Sequence, residues 1–213
     1  ALPISWYMKR FAGLSEDGLS LWYYTDKETN EEKTTTTYST GDFYLCGDPN
    51  PDLYGGFGTS ITFHGFDLST QFSYLVGGLT YDYGYAGMMG NPTATSVGNR
   101  WHKDVLKAWS PENPSSTIPR WYFNDLNTTG SSDRFLIDGS YLNLQNIQVG
   151  YTLPDSWTSH LKIKNLRLYF VCDNVYYWSK RKGLDPRRSI SGVGTSGKIA
   201  PFRTYSGGIS LQF

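Results

Sequence analysis

The groups in this chain best able to do chemistry are three histidines, two cysteines and a scatter of carboxylates. Catalysis or metal binding needs such groups converged on one point, and local spacing is the sequence sign of it. His64, His102 and His160 stand far apart, with no His-Glu-x-x-His, His-x-His or carboxylate cluster beside them. Cys46 and Cys172 form no Cys-x-x-Cys, and a disulfide and two free thiols both remain open. Asp67, Asp104, Asp125, Asp133 and Asp138 show no spacing that would pair an acid with a base. Gly-x-Ser-x-Gly does not occur. No Gly-Lys-Ser/Thr follows Gly55-Gly56, Gly77-Gly78 or Ser191-Gly192-Val193-Gly194 to make a phosphate loop. The sequence therefore predicts no catalytic residue, no metal and no cofactor.

What remains is aromatic. The chain holds 17 Tyr, 7 Trp and 11 Phe in 213 residues, and several sit in or beside long polar connections. Tyr83, Tyr85, Trp101, Trp109, Trp121, Tyr122 and Trp178 are the candidate ligand-binding residues. Flat ring faces stack on sugar C–H surfaces while nearby Asn, Asp and Arg reach hydroxyls. The competing reading is that these rings pack the connections together. For Tyr177 and Trp178 it is that they form an interfacial girdle.

Composition narrows the elements that must position them. Lys+Arg and Asp+Glu are 19 each, so no basic field exists to attract nucleic acid. Mean hydropathy is −0.45, and no apolar run approaches the roughly 20 residues of a membrane helix. Abundant Tyr, Trp and Gly with modest total hydrophobicity suit β-structure. Membrane-crossing strands remain possible, since about ten alternating residues suffice for each.

Alternation is clearest at the end of the chain. Tyr205, Gly207, Ile209, Leu211 and Phe213 share one phase, and Ser206, Gly208, Ser210 and Gln212 the other. A second pair of alternating runs, 57–63 and 66–76, flanks His64-Gly65, a tight hairpin signal. A third pair is Tyr141 to Thr152 and Asn165 to Tyr177. In the first of these the apolar phase flips between Leu144 and Ile147, which predicts a bulge near Gln145-Asn146. Ile4 to Ala12 and Leu19 to Thr25 read as two further strands, either in the same sheet or as an external hairpin.

The connections alternate in length. Residues 64–65 and 153–163 are short; residues 26–53, 77–139 and 179–203 are long and rich in Gly, Pro, Ser, Thr and Asn. Transmembrane barrels have short turns on the periplasmic side and long loops outside. If the last strand ends in the periplasm, every long link falls on the outer side. Lys180, Arg181, Lys182, Arg187 and Arg188 crowd one of those loops. The fold class expected is all-β: an antiparallel transmembrane β-barrel segment with long extracellular loops. The main alternative is a soluble β-sandwich that binds carbohydrate.

Several stretches, in order, resemble the SusC/RagA-type family of TonB-dependent transporters. They are WYMKRFAGLSEDG (6–18), GDPNPDLYGGFGTSITFHGFDLSTQFSY (47–74), NRWHKDVLKAWSPENPSSTIPR (99–120), SDRFLIDGSYLNLQNIQVGYTLP (132–154), NLRLYFVCDNVYYWSKRKGLDP (165–186) and RTYSGGISLQF (203–213). The resemblance implies that 1–213 is the C-terminal part of a barrel of about 22 strands around a plug. It would supply about six or seven of those strands, with the plug and earlier strands absent. It implies a nutrient importer of the outer membrane of a Gram-negative bacterium, taking up oligosaccharides or sometimes peptides. The implied partners are the remainder of the transporter, a SusD-like lipoprotein, TonB reached through the plug, and outer-membrane lipid. Phe213 would be the terminal aromatic read by the barrel-assembly machinery.

Overall fold

The computed structural model describes residues 5–93, 100–125, 127, 130–158, 163–180 and 201–213. In chain order the strands begin with β1 (Tyr7–Lys9), β2 (Phe11–Leu14), β3 (Ser20–Thr25), β4 (Glu32–Thr35) and β5 (Phe43–Leu45). Then come β6 (Leu53–Phe63), β7 (Phe66–Val76), β8 (Leu79–Tyr81), the short helix α1 (Tyr83–Met88) and β9 (Leu136–Asp138). The chain closes with β10 (Tyr141–Thr152), the single turn α2 (Asp155–Thr158), β11 (Asn165–Ser179) and β12 (Thr204–Gln212). These fall into two compact units. One contains the described parts of 1–50 and 78–138, the other those of 51–77, 139–187 and 199–213.

The second unit is a single antiparallel sheet ordered β12-β11-β10-β7-β6, each strand pairing with its sequence neighbour within the unit. Such a meander is how an up-and-down barrel wall is built. The β6–β7 hairpin turns at His64 (φ 48) and Gly65 (φ 84), both left-handed, as a two-residue primed turn demands. The predicted bulge is present: pairing of β10 with both neighbours shifts between Leu144 and Asn146. All three long connections leave this sheet at the end opposite His64-Gly65, as the alternation of link lengths requires.

Three readings change. The run 4–12 does not make one strand. Ile4 lies outside the described residues, and the rest divides into β1 and β2 around Arg10. Neither these nor β3 joins the long sheet, which has five described strands; β2 and β3 pair with each other as a hairpin, one of the two arrangements left open for this stretch. The reason is local: Gly13 at φ 109 and a register shift between Phe11 and Gly13 bend β2 into pairing with β3, while β1 pairs with β5. The links 26–53 and 77–139 are also more than loops. They carry β4, β5, β8, α1 and β9, and they enclose a core of Met8, Tyr81, Met89 and Phe135 packed by Trp6, Tyr85, Val105 and Ile118. Finally, the strand before His64 begins at Leu53, four residues earlier than its alternation suggests, because Gly55 and Gly56 blank out the phase.

Candidate functional site

Strand register fixes which side chains of the long sheet share a face, because directly paired residues point the same way. One face carries Phe57, Ile61 and Phe63 of β6, Leu68, Phe72 and Tyr74 of β7, and Leu142, Leu144, Ile147, Val149 and Tyr151 of β10. It continues with Leu168, Phe170, Tyr176 and Trp178 of β11 and Tyr205, Ile209 and Leu211 of β12. The bulge at Gln145 is what keeps β10 in step: without it Ile147 and Val149 would turn to the opposite side. This apolar face is open. Ile61 is 58% exposed, Phe170 49% and Ile209 66%, where a sandwich would bury them against a second sheet.

The other face is polar and knitted together. It carries Ser60, Ser69, Gln71 and Ser73, then Asn143, Asn146 and Gln148, then Ser206, Ser210 and Gln212. Asn146 donates to Asp173 at 2.7 Å, and Asn143 to Ser73 at 3.3 Å. Arg167 on β11 reaches across β10 to Asp67 on β7 in a two-pronged ion pair, Nε–Oδ1 2.9 Å and Nη2–Oδ2 2.6 Å. It passes over Gly150, where a Cβ would stand 2.3 Å from Asp67 Oδ1. That glycine is therefore required by a bridge between residues 100 positions apart.

The first unit holds six of the seven aromatics singled out in the sequence. Trp101 and Trp121 both donate their indole N–H to the Gly90 carbonyl, at 3.0 and 3.2 Å, and meet edge to face at 5.4 Å. Tyr122 beside them is 62% exposed, with the Arg120 guanidinium 5.3 Å from its ring. Tyr83 packs on Tyr81 at 4.5 Å. Tyr85 donates its hydroxyl to Asp104 at 3.0 Å, and His102 Nδ1 lies 3.1 Å from the same carboxylate oxygen. The Tyr85 hydrogen bond holds the Asp104 carboxyl below its ordinary range, with His102 and Lys107 adding to the effect. Trp109 lies against Gly18, where φ is +73 and a Cβ would sit 2.3 Å from the indole. Trp178 stands apart in the long sheet, edge to face with Tyr176 at 4.8 Å. The structure thus groups Trp101, Trp121 and Tyr122, places Tyr83 and Tyr85 on α1, and separates Trp109 and Trp178.

Buried charges were not legible in the sequence. Lys9, 4% exposed, donates to the carbonyls of Tyr38 and Gly41, each at 2.6 Å, beneath the Tyr38 and Phe43 rings. Burial lowers its pKa, against a nearby Asp42 that raises it. Arg134 lies between Phe11 and Phe135, and burial pushes it down to about 10. Burial raises the Asp133 carboxyl, which accepts from the Phe11 amide at 2.8 Å. The Lys9 ammonium and the Asp133 carboxylate are thus taken up by backbone groups of the fold itself. Cys46 and Cys172 are free thiols. Among the described residues no group of three His, Cys, Asp or Glu could hold a metal ion. His160 and residues 181–200, with Arg181, Lys182, Arg187 and Arg188, lie outside the described residues.

No family model matches the chain. Individual relatives do. TonB-dependent receptor P3 of Formosa agariphila is 30% identical over 185 residues, 82% of this chain and 18% of the relative. TonB-dependent receptor SusC of Bacteroides thetaiotaomicron is 27% identical over 180 residues, 83% of this chain and 17% of the relative. Among solved structures, the RagAB peptide transporter superposes with a TM-score of 0.80 at 25% identity, over 99% of this chain and 23% of that one. A RagAB peptide importer in its open-open state gives 0.75 at 26% identity, over 98% and 22%. The chain is a SusC-type TonB-dependent transporter segment. It spans less than a fifth of the length of the curated relatives it matches. The relatives of this SusC-type chain are named as receptors and transporters rather than enzymes, in keeping with the expectation of no catalysis.

Proposed function

We propose that this chain is part of the wall and the external surface of a TonB-dependent nutrient importer in the outer membrane of a Gram-negative bacterium. The observation that carries the reading is the open apolar face of the five-stranded sheet, backed by a polar face. Its proportions suit a bilayer. From Phe66 to Tyr74 the strand advances eight residues, about 27 Å. Tilted as barrel strands are, that gives about 20 Å between aromatic rows, near the height of the apolar band in outer-membrane barrels. Phe63, Phe66 and Tyr151 mark one row, and Tyr74, Tyr176 and Trp178 the other.

The free edges of β6 and β12 belong, in this reading, to the remaining strands of a barrel of about 22, because an open edge cannot stand in lipid. Phe213, 73% exposed at the end of β12, serves as the assembly signal. The polar face lines the lumen. The partners are a SusD-like lipoprotein, TonB reached through the plug, and outer-membrane lipid. The cargo is an oligosaccharide, for which the Trp101–Trp121 pair and the exposed Tyr122 with Arg120 offer stacking faces and a hydrogen-bond donor. Peptide is the second reading, supported by the RagAB likeness.

Two measurements test this. The native protein should sediment with outer membranes and need detergent for release; recovery in the soluble fraction would defeat the barrel reading. Purified protein should then bind one of two ligand pools, mixed oligosaccharides or mixed peptides, with loss on Trp121→Ala. Unchanged binding by Trp121→Ala would remove that aromatic group from the cargo site.

A further inference from the structure

His102 meets two neighbours that ask opposite things of one nitrogen. Its Nδ1 accepts a hydrogen bond from the Asp104 amide at 3.2 Å. The same Nδ1 lies 3.1 Å from the Asp104 carboxylate oxygen Oδ2. The first contact needs a lone pair on Nδ1, and the second needs a proton there. An imidazole cannot satisfy both at once. Which contact it makes depends on whether Nδ1 carries a proton.

The surroundings hold ring and carboxylate in place for either state. The Tyr85 hydroxyl donates to Asp104 Oδ2 at 3.0 Å, and the Tyr85 ring meets the imidazole edge to face at 4.9 Å. The His102 amide donates to the Met88 carbonyl at 3.0 Å, and the His102 carbonyl accepts from the Val105 amide at 3.0 Å. Neither of these backbone bonds involves the imidazole. Among the described residues, the titratable and charged groups around the pair come from three places. Tyr85 belongs to α1. Asp104, Lys103 and Lys107 belong to the short 3-10 turn Lys103–Lys107, and Lys107 Nζ stands 3.7 Å from Asp104 Oδ1. Arg134 acts on Tyr85 from beyond. The Tyr85 hydrogen bond, with His102 and the two lysines, holds the Asp104 carboxyl below its ordinary range, so the carboxylate remains an anion. The His102 side chain is 29% exposed, so protons reach it without any opening of the fold.

We propose that His102 is a proton-operated switch at the start of the Lys103–Lys107 turn. In the neutral ring with its proton on Nε2, Nδ1 caps the turn by accepting from the Asp104 amide. In the imidazolium, Nδ1–H donates to Asp104 Oδ2 in a charge-assisted bond, and the Asp104 amide loses its acceptor. One proton exchanges a backbone cap for a side-chain ion pair. Trp101 is the preceding residue, so the switch stands at the root of the aromatic group proposed to bind cargo. That link to cargo rests on the proposed function; the switch itself does not.

The test follows hydrogen exchange of the Asp104 amide in the whole protein by fragmentation mass spectrometry. It compares about pH 5 with about pH 8, the span in which histidine side chains change charge, after correction for the intrinsic pH dependence of exchange. Protection of this amide should be roughly fivefold lower at the acid end, the worth of one ordinary hydrogen bond. The Val105 amide, bonded to the His102 carbonyl, should keep its protection and serves as the internal control. His102→Asn supplies a capping oxygen that does not titrate, so protection should stay high at both pH values. His102→Ala should leave it low at both. Wild-type protection that does not change with pH overturns the proposal, and so does a pH dependence that survives in His102→Asn. Joint loss of protection at Asp104 and Val105 overturns it too, because the whole turn would then be opening rather than exchanging one bond. Cargo enters none of these measurements: unchanged cargo binding by Trp121→Ala would remove the aromatic group from the cargo site and leave the switch standing.

Discussion

The two units solve opposite solvation problems with the same residue types. In the first, Trp22 is 1% exposed, edge to face with Phe11 and Tyr38 at 5.7 and 5.1 Å, and Tyr81 is 3% exposed within the core. In the second, Ile209 and Phe170 are largely uncovered while serines and asparagines fill the opposite face. Aromatic content alone could not separate these cases. The difference lies in what surrounds the central rings: protein on all sides of Trp22 and Tyr81 in one unit, and open space beside Phe170 in the other. The first unit is an ordinary globular core assembled from short strands. The second is a sheet with one open apolar side and one polar side.

Truncation of a core ring is the strongest way to break that contrast. Trp22→Ala should remove about 3–5 kcal/mol from the first unit, the cost of a large core side chain and its cavity. Loss of the tertiary near-ultraviolet signal and a lower urea midpoint would show it. A midpoint shift no larger than that of an exposed residue would mean the first unit has no true core. Charge placed on the long sheet gives the next largest effect. Ile209→Arg points to the apolar face and should cost about 1–2 kcal/mol, less than at the bilayer middle because Ile209 shares a register row with Phe66 and Tyr151. Ser210→Arg, one residue on, points to the polar face and should change stability by about 0.5 kcal/mol or less. The readout is the urea midpoint after refolding into detergent or lipid. Equal penalties would show that the two faces do not differ in solvent.

The legibility of the two units differs for the same physical reason. In the long sheet each strand sees one solvent per face, so a period of two is written directly into Tyr205 to Phe213 and 66–76. Even the bulge was visible, as the phase flip between Leu144 and Ile147. In the first unit, strands of three to six residues are held by distant partners such as Met8 with Tyr44 and Thr80 with Ile137. No local period survives in segments that short, so β4, β5, β8 and β9 read as loop. Lys9, Asp133 and Arg134 look like surface charges in sequence because their burial is made by residues far along the chain. Aromatic candidates were found by type, but only coordinates could show that Trp101 and Trp121 share the Gly90 carbonyl and that Trp109 is tied to Gly18.

The Asp67–Arg167 bridge sharpens the comparison within the long sheet itself. Gly150→Leu should force the two side chains apart over β10, since its Cβ would stand 2.3 Å from Asp67 Oδ1 and 2.5 Å from Arg167 Nη2. The expected cost is about 1–2 kcal/mol, a charged hydrogen-bonded pair partly shielded from water. Gly207→Ala on β12 meets its nearest atom at 3.8 Å, an ordinary contact. It should be tolerated within about 0.5 kcal/mol. Thermal midpoints of the two variants in the same detergent check both. Equal tolerance would show that the ion pair has room to move aside and that Gly150 is not its seat.

The smallest effect expected belongs to the β3–β4 turn of the first unit and concerns pH. Lys33 donates to Asp26 Oδ2 at 2.5 Å, and the amides of Glu28 and Thr29 approach its other oxygen at 2.9 and 3.4 Å. The Lys33 hydrogen bond, with these amides, lowers the Asp26 carboxyl to about 2 from an ordinary 3.8. A carboxyl depressed in the folded state binds fewer protons folded than unfolded, so stability rises with pH across that interval. The contribution is fully present above the unfolded value near 4 and fades as pH falls through about 2. The Glu28 amide signal in NMR should therefore titrate with a midpoint near 2, and Asp26→Asn should abolish that titration. A midpoint near 4 would mean that the turn makes no use of the carboxylate. Among the described residues the long sheet offers no counterpart: the two-pronged Asp67–Arg167 ion pair lies across strands on the polar face, where register rather than a turn holds it in place.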